Sequence, residues 1–132
     1  MPQRVDASEI SNDDALWRRI VNHPEWISAD GLGGWRVSSA AFLDRRSGEV
    51  SVHWAKLTTQ TQALAAYPDA GLVEILAGLP RSLDLIVAYD PQVDDPSHSL
   101  ICAPGDCGVS KSKARKLAAT ARWLVKPQNI RA

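Results

Sequence analysis

DDALWRRIVN, residues 13–22, decides how the chain is read. Leu16, Trp17, Ile20 and Val21 fall on one face at helical spacing, and Arg18 and Arg19 point away. Ser11 or Asn12 stands where an N-cap is wanted, Asp13 and Asp14 suit the positive end of a helix, and Pro24 supplies the stop. The pattern predicts an N-terminal helix over 13–22, preceded by a flexible leader, residues 1–11.

Beyond the irregular glycine-rich stretch 30–34 the periodicity changes. Residues 36–43 and 49–55 read as two short strands joined by a hairpin at 45–48. In the second, Val50, Val52 and Trp54 share one face, and Ser51 and His53 share the other. Thr58 or Thr59 caps a short helix that stops before Pro68. Residues 71–77, 84–89 and 97–103 read as further strands, and 110–125 as a final helix closed by Pro127. The expected fold is α+β. A small, mostly antiparallel or mixed sheet of four to five strands packs with N-terminal, short middle and C-terminal helices. Residues 12–126 form one domain and 127–132 a tail.

Composition agrees with one ordinary core. The chain has 132 residues, 45% apolar and 23% charged, so it needs neither metal nor disulfide to fold. The longest clearly apolar run, 85–89, is far too short to span a membrane. A polar N-terminal dozen without an apolar core gives no secretory signal, and Cys102 and Cys107 then read as reduced thiols of a cytoplasmic protein.

Fifteen basic residues balance fifteen acidic ones, but unevenly. Arg81 is the only basic residue between Asp69 and Asp106, whereas the stretch from Lys111 to Arg131 has no acid. On a helix over 110–125, Lys111, Arg115, Arg122 and Lys126 fall within about 60° of arc. Such a stripe suits phosphate contacts, an acidic partner protein, or simple solvation. Lys111 and Lys113 also flank the start of that helix, where N–H groups favour anions. Residues 105–112, GDCGVSKS, approach a phosphate-binding loop but carry Ser110 where its second glycine belongs.

Three histidines offer acid–base chemistry. His98 lies among Asp90, Asp94 and Asp95, which suit the orientation of an imidazole. Arg36 and Ser39 supply an anion clamp and a hydroxyl, so Arg36, Ser39, His53, Asp90 and His98 are the candidate catalytic set. Lys111, Lys113, Arg115, Arg122 and Lys126 are the anion or nucleic-acid candidates. Of five tryptophans, Trp35, Trp54 and Trp123 are the interface candidates. His98, Cys102 and Cys107 lack the fourth ligand and spacing of a structural zinc site, so no metal and no cofactor are expected.

The segments VSSAAF (37–42), VSV (50–52), Asp90-Pro91 and DPSH (95–98) resemble stretches of small uncharacterised bacterial single-domain proteins of similar length. That resemblance implies a bacterial cytoplasmic domain whose serine pair, Ser38 and Ser39, and His98 form a shared polar site. It implies no substrate. Three classes of function follow: an accessory module binding a partner protein or a second copy of itself, a small enzyme, and a nucleic-acid binder.

Overall fold

A computed structural model describes residues 4–43, 48–105 and 108–127. Among these residues, eight strands and three α-helices follow in order. They are β1 (Ala15–Ile20), β2 (Ile27–Ala29), β3 (Trp35–Val37), β4 (Val50–Trp54), α1 (Gln60–Leu64), β5 (Gly71–Leu76), α2 (Gly78–Ser82), β6 (Ile86–Tyr89), β7 (His98–Cys102), α3 (Lys111–Thr120) and β8 (Arg122–Val125). Six strands form one antiparallel sheet in the order β6-β7-β4-β1-β5-β8, and β2 and β3 form a separate two-stranded sheet.

The expected four- or five-stranded sheet with helices at both ends is therefore corrected. The supposed N-terminal helix is β1, an interior strand paired with both β4 and β5. Leu16 and Ile20, four apart, share a face in a helix and in a strand alike, so they could not arbitrate. Both are fully buried, while Trp17 and Arg19 lie on the opposite face, as period two requires.

The C-terminal helix is shorter than expected. It ends at Thr120, Ala121 turns extended, and the β-favouring Arg122-Trp-Leu-Val125 pairs with β5. Residues 36–43 also divide. Only β3 is extended, and Ser39–Phe42 winds into a 3-10 turn that packs on α3. The short middle helix is α1, capped by Thr59, whose hydroxyl accepts from Gln62 N–H. The hairpin connection at 45–47 and the tail beyond 127 lie outside the described residues.

One face of the large sheet carries the main core. Leu16, Ile20, Val50, Val52, Val73, Ile75, Val87 and Ile101 meet Phe42 of the 3-10 turn, Ile27 and Val37 of the small sheet, and Ala114 and Leu117 of α3. Burial of each large side chain contributes about 1.5–3 kcal/mol before entropy is counted. The segment read as a flexible leader joins this core from residue 7 on: Ile10 is 1% exposed and Ala7 N–H donates to Val87 O. Arg81 ties it down, reaching Asp6, Ala7 O, Ile10 O and Asn12. Two isolated apolar residues in a polar stretch show no period, so their burial has no local signature.

Candidate active site

The opposite face of the sheet carries the histidines. Trp54 N–H donates to Ser97 O, and the His98 carbonyl accepts instead from Asp90 N–H on the other side. His53 on β4 and His98 on β7 are register partners, and this hydrogen-bond pattern makes them a non-hydrogen-bonded pair. At such a position the Cβ atoms stand about 4.5–5.5 Å apart, so the two imidazoles are nearest neighbours.

Each ring is held through Nδ1. His53 Nδ1 lies 3.0 Å from Asp95 Oδ2 and 3.1 Å from Ser97 Oγ. His98 Nδ1 lies 3.1 Å from Asp90 Oδ2 and 3.0 Å from Asp90 O. A carboxylate only accepts, so the neutral rings carry their protons on Nδ1 and keep Nε2 as the acceptor. Both histidines line one pocket of about 300 Å³ with Ser51, Arg18, Arg19 and Tyr67.

The carboxylates are themselves positioned. Asp95 closes the loop between β6 and β7, its Oδ1 accepting from Ser97 N–H and Ser97 Oγ. Tyr89 O–H donates to Pro96 O at 2.7 Å and anchors the same loop to β6. Asp90 is gripped by Arg4 at 3.1 Å and by the Gln92 amide at 3.0 Å, and Arg4 also holds Glu49 at 2.8 Å. These outer contacts fix ring orientation and tautomer.

Burial pushes the His53 imidazole below its usual value; Arg19 and His98 add to the effect, and Asp95 opposes it. Arg19 reaches this site because it lies two residues from Trp17, the register partner of His53, on the same strand face. Its guanidinium donates to Ala63 O at 3.2 Å and stacks over the Tyr67 ring at 3.8 Å. The helical pattern read at 13–22 had turned this arginine to solvent; alternation along a strand would have placed it beside His53. Arg18 takes another course, donating to Ala41 O and Ser51 O where β1 diverges from β4.

The five candidate catalytic residues separate into two groups. His53, His98 and Asp90 come together. Arg36 and Ser39 line a different pocket with Trp35, Arg115 and Trp123. Among the aspartates flanking His98, Asp90 orients it, Asp95 serves His53, and Asp94 lines the neighbouring pocket beside Asp95.

The basic stripe also separates. Lys111, Lys113 and Arg115 lie on α3, but Arg122 is on β8 in an ion pair with Glu74, and Lys126 follows β8. Ser110 caps α3, accepting from Lys113 N–H. Trp54 is 7% exposed and donates its indole N–H to Asp14. Trp123 is partly buried and donates to Trp35 O at 2.9 Å. Cys102 is buried, which pushes its thiol up, and Cys107 lies outside the described residues. No described helix is long and apolar enough to cross a membrane.

No protein-family model, no curated protein and no solved structure matches this chain. The geometry of the two histidines therefore carries the functional argument.

Proposed function

We propose that the protein is a small enzyme that performs general acid–base chemistry with His53 and His98. One observation carries this: two imidazoles are cross-strand neighbours that line a common pocket, each with Nδ1 on its own carboxylate. Displacement at an ester needs a base to take a proton from the attacking oxygen and an acid to return one to the leaving oxygen. His53, kept neutral by burial, is the base, and His98 is the acid in its doubly protonated form, which carries a proton on Nε2 as well as the one on Nδ1 held by Asp90. Arg19, at the pocket wall, stabilises negative charge that develops between them.

The test is a panel of chromogenic carboxylic esters, phosphomonoesters and phosphodiesters assayed from pH 4 to 9. One class should turn over, with an acid limb below the usual imidazole value, and His53→Gln and His98→Gln should each lose about 100-fold or more. Turnover undiminished in both variants, or none with any class, overturns the proposal.

A second proposal, an accessory domain that docks on a partner protein or a second copy, is favoured by β8. It is an edge strand of the large sheet, so its outer backbone groups can template pairing. Trp35 and Trp123 are the tryptophans left for such a surface, since Trp54 lies in the core. Light scattering on the purified chain decides it, with a lone monomer that recovers no partner counting against docking. We place the protein in the cytoplasm, a reducing compartment that suits the buried Cys102 thiol.

A further inference from the structure

The cleft between α3 and β3 unites residues that the sequence had assigned to three different roles. Arg36 and Ser39 came from the catalytic set, Arg115 from the basic stripe, and Trp35 and Trp123 from the interface set. All five line one cleft of about 500 Å³, within the size range of small-molecule sites. We propose that this cleft binds a nucleoside monophosphate, independently of the chemistry at His53 and His98.

Charge is the first argument. Among the described residues, Arg36 and Arg115 are the only ionisable ones that line the cleft, and no described carboxylate lines it. Arg36 uses its Nε on Ser28 Oγ at 3.4 Å and feels the Asp30 carboxylate from the neighbouring loop. The Arg115 side chain has no hydrogen bond or ion pair among the described residues, and it lines, from α3, a cleft that Arg36 also lines. Two like charges facing one space repel, and a bound anion converts that repulsion into two charge-assisted contacts.

The shape of the anion follows from the donors. Arg36, Arg115 and Ser39 line the cleft from β3, α3 and the 3-10 turn respectively. A carboxylate has two oxygens in one plane. A terminal phosphate offers three, spread tetrahedrally, and its two negative charges match two guanidinium groups.

The remaining wall is aromatic. The Trp123 ring is oriented by its indole N–H, which donates to the Trp35 backbone carbonyl, so this ring is set before a ligand arrives. Planar bases stack on such rings, a contact worth about 1–3 kcal/mol for each base. Ala118 on the α3 side keeps the floor low, where a larger side chain would fill the space. An aromatic wall beside a doubly cationic end describes a ring joined to a phosphate.

The test uses the full chain, labelled with ¹⁵N and titrated at low salt with AMP, UMP, adenosine and inorganic phosphate separately. AMP or UMP should saturate and shift the indole N–H signals of Trp123 and Trp35, assigned with Trp123→Phe. Arg115→Gln and Arg36→Gln should each weaken that binding about tenfold or more, since a hydrogen bond to a charged group is lost. Ala118→Leu should block it, and His98→Gln should bind like the parent. The proposal is overturned if neither nucleotide saturates, if adenosine binds as tightly as AMP, if Arg115→Gln binds unchanged, or if the shifts centre on His53 and His98. Arg115 is exposed, so its variant folds and keeps the test decisive.

Discussion

His53 faces His98 across the β4–β7 ladder, yet their Nδ1 atoms are held by different carboxylates, Asp95 and Asp90. The two rings are close enough to feel each other's charge and are oriented by independent supports. A charge on His98 therefore opposes protonation of His53.

A proton titration of the ring resonances should show this directly. His53 should titrate below 6.5, because burial opposes its charged form. Asp95→Asn removes the one carboxylate that supports the charged ring, so the His53 midpoint should fall further. A midpoint that rises in Asp95→Asn would mean that the carboxylate does not act on this ring.

Stability should depend on pH through the same group. The folded state depresses the His53 value, so between that value and 6.5 the unfolded chain binds more protons than the folded one. The contribution is fully present above pH 6.5 and is lost as pH falls through the folded value. Urea midpoints at pH 7.5 and 5 should differ less in His53→Gln than in the parent protein, and an equal difference would remove His53 as the cause.

Gly48 and Gly108 touch through their backbones. A Cβ on Gly48 would stand 2.7 Å from Gly108 Cα, and Gly48 sits at φ 74°. Gly48→Ala should therefore destabilise by about 1–3 kcal/mol. Gly105→Ala, also at positive φ but with open space around it, should cost less, because only backbone strain is added. Thermal melts of the two variants make the comparison.

Arg81 is a different kind of contact, a single side chain that holds a whole segment. Its guanidinium reaches Asp6, Ala7 O, Ile10 O and Asn12, 69 to 75 positions away in the sequence. Arg81→Gln should loosen residues 4–12 ahead of the sheet. Limited proteolysis should then cut there first, and Ala7 N–H should lose its protection from hydrogen exchange while the β4–β7 ladder keeps its own. Uniform loss of protection across the sheet would show that Arg81 acts globally instead.

Local pattern determined a good part of this protein. Alternation marked β4 at Val50–Trp54, and apolar runs bounded by turn residues marked β5, β6 and β7. Thr58 or Thr59 marked the start of α1, and His98 and its aspartates were legible as residue types suited to proton chemistry. What local pattern could not supply was any choice that depends on a neighbour. Leu16 and Ile20 satisfy helix and strand equally, and only pairing of their segment with β4 and β5 made them a strand. Arg122–Val125 continues the helical stripe of α3 until the β5 edge offers it hydrogen bonds. The same dependence governs the sites. His53 and His98 lie 45 positions apart in sequence and meet only because β4 and β7 pair, while Arg36 leaves them because β3 belongs to another sheet. Spacing along the chain encodes which face a residue takes within its own element; which elements become neighbours is set by the burial of all those faces at once.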